Sequence, residues 1–341
     1  MICGRPELWQ VTAYYTCMLA ALGILMRKRR DHGILQVPAR KRQGRGTAAV
    51  CMVLAASACV LLFARRFPEF SLTMLDVGQG DCFVIQTGRN VFLSDGGSTT
   101  VPAVGQYRIL PYLESRAVGY IEAVMISHDD ADHQGGIEEI LCLIAEKKTA
   151  VRIGHVFMPR WMAQTEDGAR IISECRAAGA VPGLLERGDS LQCGETRIDV
   201  LHPFREGGAQ SGNAGSLVLQ VTYRTFTALM TGDLEKEGEE ELIPYLQETD
   251  CLKAGHHGSR NSTSDELLEV TDPAVALISA PKKSMYGHPH QETLERLKAA
   301  GTEIFATKDC GAVTLLPENG GITVRTWLKP NNPTADPVSD V

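Results

Sequence analysis

The chain has 341 residues, with 34 Lys and Arg against 41 Asp and Glu, a formal net charge of −7, 44% hydrophobic and 22% charged residues. That length suits about two domains, and the composition excludes bulk disorder. Residues 1–70 carry 11 basic and 3 acidic side chains while residues 71–341 carry 23 and 38, so the larger piece excludes a broad electrostatic grip on nucleic acid.

In chain order, two uncharged stretches come first, at about residues 8–26 and 47–64. At 1.5 Å per residue each approaches the roughly 30 Å hydrocarbon core of a bilayer. Arg27, Lys28, Arg29, Arg30, Arg40, Lys41, Arg42 and Arg45 lie between them. Basic loops stay cytoplasmic, which predicts a multi-pass membrane hairpin over 1–69 with the following domain on the extracytoplasmic face. Gln10, Thr12 and Thr16 weaken the first stretch, whose alternative is a buried helix. Ala56-Ser57-Ala58-Cys59 faintly resembles a lipoprotein cleavage site. The ten cysteines form no Cys-x-x-Cys pair, which argues against a thiolate zinc cage. Cys82, Cys142 and Cys251 read as core fillers.

Residues 70–328 alternate between strand and helix patterns. Strands are predicted at 70–76, 82–86, 90–94, 121–127, 153–157, 197–201, 217–223, 226–230, 252–254 and 275–279. Helices are predicted at 136–145, 169–178, 234–246, 265–270 and 292–299. Hairpins mixed with helices suggest two sheets covered by helices, with a three-layer α/β fold as an equal rival. Residues 329–341 read as a loose tail.

The chemistry-bearing stretches follow strands. Ser127-His-Asp-Asp-Ala-Asp-His133-Gln-Gly-Gly packs two imidazoles and three carboxylates into six positions. Such charge is not buried cheaply without a cation or several partners, and mixed His and Asp ligands suit Zn²⁺ or Mn²⁺. An acidic helix-capping loop is the plain alternative. Leu93-Ser-Asp95-Gly-Gly, Thr231-Gly-Asp233 and Lys253-Ala-Gly-His256-His257-Gly-Ser259 each place Asp or His after a further strand. Four such stretches in order outweigh the plain alternative.

This order of motifs resembles the metallo-β-lactamase fold superfamily. Its His-x-His-x-Asp-His motif is here His128-x-Asp130-x-Asp132-His133. With Asp76-Val-Gly-Gln-Gly-Asp81 before it and His256-His257-Gly-Ser after it, the chain is similar to the C-terminal domain of ComEC-type competence proteins over residues ~8 to ~327. Asn213-Ala-Gly-Ser216 and Tyr286-Gly-His288-Pro look like further family blocks. The resemblance implies an α+β, metallo-β-lactamase-like αββα sandwich preceded by two transmembrane helices.

It also implies two divalent metal ions. His128 and Asp130 would hold the first, Asp132, His133 and His256 the second, and Asp233 would bridge them. His256 is preferred to His257 because Gly255-His256 fits the family spacing. Asp95 would steer the motif loop, with Asp81 and Ser259 as further supporting residues. Asp132, His257, Lys253 and His288 are the catalytic candidates. Where the superfamily supplies a histidine before the strand at 217–223, this chain has Asn213 and Ser216, with His202 nearby as an alternative ligand or a plain strand-end residue. The implied reaction is phosphodiester hydrolysis of DNA during uptake, with Arg260, Lys282 and Lys283 as local substrate contacts and other channel subunits as partners. A hydrolase of another phosphodiester or acyl ester, and a non-catalytic membrane scaffold, are the competing functions.

Overall fold

The computed structural model describes residues 4–32, 43–63, 67–204, 211–318, 320–329 and 336–337. The chain divides into two units, with the boundary between Phe67 and Pro68.

The N-terminal unit is two helices, Leu8–His32 (α1) and Gln43–Phe63 (α2). Cys51 Sγ of α2 lies 3.8 Å from Ala21 O of α1. Leu8, Leu19, Met26, Met52, Val53 and Val60 are exposed. Among the described residues no helix is long and apolar enough to cross a membrane, so the two spans predicted at 8–26 and 47–64 are not shown. In α1, Gln10, Thr12 and Thr16 dilute the apolar stretch, and the helix runs on through Arg27–Arg30. Part of the predicted basic loop and most of the predicted tail lie outside the described residues.

Among its described residues the second unit holds sixteen strands in two sheets. Those on the N-terminal side are Phe70–Met74 (β1), Phe83–Thr87 (β2), Asn90–Ser94 (β3), Tyr120–Met125 (β4), Arg152–Pro159 (β5), Val181–Leu185 (β6), Ser190–Cys193 (β7) and Thr196–His202 (β8). Val218–Tyr223 (β9), Phe226–Met230 (β10), Cys251–Lys253 (β11), Val275–Ile278 (β12), Glu303–Ala306 (β13), Val313–Glu318 (β14), Gly321–Thr326 (β15) and Asp336–Pro337 (β16) follow. One sheet runs β16-β15-β14-β1-β2-β3-β4-β5-β6 and the other β13-β12-β11-β10-β9-β8-β7. Leu110–Ser115 (α3), Ala131–Ala145 (α4) and Glu166–Ala178 (α5) cover the first sheet. Lys236–Leu242 (α6), Asp265–Thr271 (α7) and Gln291–Ala299 (α8) cover the second.

Strand alternation builds the layers. Phe83 and Ile85 face the core between the sheets, while Val84 faces the core under α4. Ala228 and Met230 likewise face inward and Leu229 faces the helices. Three apolar layers result, the order is helix, sheet, sheet, helix, and the αββα expectation holds against the three-layer rival.

Most predicted elements fall within a few residues of the observed ones. The pattern stopped short at α4, whose first turn is the polar Ala131-Asp132-His133, and it missed the helical stretch at 105–115. Cys82 and Cys251 are buried, as expected of core fillers, whereas Cys142 is exposed on α4. Its helical neighbours Leu141 and Ile140 take the buried face instead.

Candidate metal centre

The carboxyl ends of strands from both sheets meet at one place. β3 pairs in parallel with β4, bringing Ser94 level with Met125. β10 pairs with β11 and β11 with β12, bringing Met230 and Leu277 level with Lys253. The next residues out are therefore Asp95, Ser127-His128, Asp233 and the His256-His257 turn.

Close backbone approach closes the site from beneath. Gly80 has φ +146°, and a Cβ there would run into Gly97 O and Asp132 O. Only glycine lets the 75–82 loop tuck under the start of α4. Asp81 N donates to Asp132 O at 3.0 Å and Gly97 N donates to Asp81 O at 3.1 Å. Asp81 is thereby 1% exposed.

His133 sits at the heart of the cluster, fully buried. Its Nδ1 lies 3.0 Å from Asp95 Oδ2, and its Nε2 lies 3.3 Å from Asp233 Oδ1. His257, also fully buried, has Nδ1 at 3.2 Å from Ser279 O and 3.5 Å from Asp81 Oδ1. Its Nε2 is 3.4 Å from Asp132 Oδ2 and 3.5 Å from Asp233 Oδ2. His128 is buried, its Nδ1 is 3.0 Å from Ser127 Oγ, and its Nε2 is 3.4 Å from Asp130 Oδ2. Lys253 Nζ lies 2.6 Å from Asp81 Oδ2 and 3.2 Å from Asp233 Oδ1, and donates to Gly232 O.

Among the described residues, donor atoms within 4.8 Å of one another form four groups: His128–His133–Asp233, Asp132–His133–His257, Asp81–Asp95–His133 and Asp81–Asp233–His257. The Nε2 atoms of His128, His133 and His257 are buried without hydrogen-bond partners. Three such imidazole nitrogens facing two carboxylates are the donor set that a divalent metal takes, so the residues fit the metal that the motifs imply.

The electrostatics agree. Burial opposes charge on His133, but Asp233 and Asp95 override it and hold the imidazole well above its ordinary range. Burial likewise opposes charge on His257, and Asp233 and Asp81 raise it from 6.5 to about 9. Burial disfavours ionised Asp233, yet His133, His257 and Lys253 hold its carboxyl well below the usual range. The protons on these histidines are stand-ins for the positive charge of a metal.

The predicted site residues divide clearly. His128, Asp132, His133 and Asp233 come together with His257. His256 does not join a candidate group: its Nδ1 pairs with Glu235 Oε1 at 3.0 Å, and its Nε2 stands 3.6 Å from Asp233 Oδ2. Two consecutive left-handed residues explain the exchange. His256 has φ 46° and His257 φ 54°, conformations costing roughly 1–2 kcal/mol each for a side-chain-bearing residue. The turn aims the second imidazole inward and leaves the first at the edge. Asp130 stands at the N-cap position of α4 without a side-chain capping hydrogen bond; its side chain is 57% exposed and pairs with His128.

Asp95 steers the motif loop: its Oδ1 accepts from Ser127 N at 2.7 Å and its Oδ2 holds His133. Asp81 reaches deeper than a supporting role and enters two candidate groups. Ser259 supports the turn, its N donating to His256 O. His202 is buried with Nδ1 at 2.7 Å from Ser216 O and joins none of the groups found among the described residues. Ser216 Oγ accepts from Asp233 N at 3.2 Å. Asn213 is half-buried in a short turn and its O accepts from Ser216 N. His288 is buried at the rim, its ring 5.3 Å from that of His256 and 6.1 Å from that of His257. Burial and those two imidazoles lower it to about 4. Ser127 opens the motif but carries no role in the sequence reading, and Glu235 and Ser279 are not among its candidates. Ser127 and Ser279 end predicted apolar strands, and Glu235 sits in a Glu-rich stretch that reads as a solvated helix.

A family model described as the metallo-beta-lactamase superfamily matches residues 75–281. Among curated proteins the chain is 30% identical over 262 residues to ComE operon protein 3 of Bacillus subtilis, covering 72% of this chain and 33% of that protein. It is 28% identical over 256 residues to recombination protein 2 of Haemophilus influenzae, covering 74% and 30%. It is 27% identical over 260 residues to competence protein ComA of Neisseria gonorrhoeae, covering 74% and 33%. The chain thus spans about a third of the length of these relatives.

Proposed function

This chain belongs to the metallo-beta-lactamase superfamily, and from that premise we propose that it is a metal-dependent phosphodiesterase acting on DNA. The observation that carries the reading is the convergence of the His128, His133 and His257 Nε2 atoms with Asp132 and Asp233 in one cluster backed by the Asp81–Lys253 ion pair. Two divalent ions, Zn²⁺ or Mn²⁺, would be held by His128, His133 and Asp233 on one side and Asp132 and His257 on the other. Bound there, they would lower the pKa of a water and polarise the phosphoryl oxygen.

The remaining work falls to the side chains. Asp132, less buried than its neighbours, orients the attacking water. Asp95 holds the His133 ring by Nδ1 and so fixes which nitrogen faces the centre. His288 is neutral at physiological pH, since its ordinary value is lowered to about 4. Its Nδ1 is buried without a hydrogen-bond partner and is placed to accept a hydrogen bond at the rim. Arg260, Lys282 and Lys283 give local positive charge on an acidic domain.

The relatives' names, a competence protein and a recombination protein, support DNA as the polymer. The hairpin of α1 and α2, with its exposed apolar side chains, supports attachment to a membrane with the larger unit on the extracytoplasmic face, beside other channel subunits. The test is incubation of the purified chain with single- and double-stranded DNA and Mn²⁺ or Zn²⁺. Cleavage abolished by chelation supports the proposal. Cleavage of small acyl esters alone moves the substrate class, and no hydrolysis of any ester points to a scaffold.

A further inference from the structure

One of the four donor groups already contains a cation. Asp81, Asp233 and His257 offer atoms within 4.8 Å of one another, and the Lys253 ammonium is bonded to both carboxylates of that group. Lys253 is 2% exposed, Asp81 1% and Asp233 2%. Gly232 O takes a further proton of the ammonium. These charges are withdrawn from solvent, so each depends on the others.

We propose that Lys253 fills with its own ammonium the cation position of the Asp81–Asp233–His257 group, so that the centre folds without metal there and metal enters the outer groups alone. A divalent ion and an ammonium at that position would compete for the same carboxylate oxygens at close range. Among the described residues, the other cationic neighbours of Asp81 are the imidazoles of His133 and His257, both of which offer atoms to the outer groups. On loading, Lys253 is then the one positive group that stays on Asp81. Lys253 Nζ stays within 3.2 Å of both Asp81 and Asp233 and so occupies the space a further ion would need. Lys253 is a positioning residue: it holds Asp233 for the outer ions and touches no reacting atom.

The test uses the full chain and needs no hydrolysis, so failure of the nuclease reading leaves it standing. In EDTA the parent chain should melt cooperatively, while Lys253→Met should melt roughly 10 °C lower, as expected for removing one partner of a buried ion pair. Adding Asp81→Asn to Lys253→Met should recover most of that loss. Lys253→Ala, which leaves space, should bind one more Mn²⁺ per chain than the parent by native mass spectrometry. A Lys253→Met transition in EDTA within a few degrees of the parent overturns the proposal. So does a double variant no more stable than Lys253→Met, including the case where the single variant does not fold. Equal Mn²⁺ counts for Lys253→Ala and the parent also overturn it.

Discussion

Asp81 and Asp130 are both carboxylates beside an imidazole of the same centre, 3.5 Å from His257 Nδ1 and 3.4 Å from His128 Nε2 respectively. Asp81 lies on the inner wall, 1% exposed and bound to Lys253. Asp130 lies on the rim, its side chain 57% exposed and its imidazole contact its one ion pair among the described residues. On the wall every charge answers another across a distance that water cannot enter, so a single change leaves a buried charge behind. On the rim solvent screens the loss. The same residue type therefore carries different weight according to depth, and the following expectations measure that difference.

The largest effect is expected at Asp233, which faces His133, His257 and Lys253 at once. Asp233→Asn should weaken Mn²⁺ or Zn²⁺ binding by at least about 100-fold and abolish phosphodiester hydrolysis. Metal titration by calorimetry checks it. An affinity within tenfold of the parent would erase the distinction between wall and rim.

Next comes the adjacent pair. His257→Ala should lower metal affinity by about 100-fold, while His256→Ala should change it by less than about tenfold, because His256 is turned to Glu235 at the edge. The reverse order would restore His256 as the inner ligand.

That pair also marks how far the sequence could be read. Strand and helix periods left the αββα sandwich and a three-layer α/β fold level, and the resemblance carried by four strand-end stretches in order chose between them and implied the clustering of His128, Asp132, His133 and Asp233. Which of two neighbouring histidines points inward did not follow, because it depends on two consecutive left-handed residues that no side-chain pattern announces. The depth of Asp81 was hidden as well. It depends on Gly80 permitting a loop to pass between Gly97 and the start of α4, a contact made by residues far apart in the chain. Lys253 stands among the catalytic candidates, and its burial is decided by Asp81 and Asp233, both distant in sequence.

A moderate effect is expected from pH. His257 is raised from 6.5 to about 9 in the metal-free fold, so its proton stabilises that fold fully below about 6.5, and the contribution is lost as pH rises through about 9. The metal-free melting temperature should therefore fall across that window. Metal needs the neutral imidazole, so affinity should rise over the same window, by up to about tenfold per pH unit for each proton displaced. Metal binding and metal-free melting measured at pH 6.5, 7.5 and 8.5 check both signs, and a flat affinity would mean that no proton leaves the wall on loading.

The smallest effect belongs to the rim. Tyr286 and Met285 are 60% and 89% exposed, and the Tyr286 ring lies 5.8 Å from that of His288 at an interplanar angle of 29°. An exposed aromatic ring beside the centre offers a stacking face for a nucleobase, worth about 1–3 kcal/mol per base in single-strand binding. Tyr286→Ala should then raise KM for a single-stranded oligonucleotide roughly fivefold and leave kcat near its parent value. It should not alter metal affinity, nor hydrolysis of a small phosphodiester that carries no base. A loss in kcat on both substrates would place Tyr286 with the wall, through His288, and would push the boundary between buried and screened positions outward by one residue.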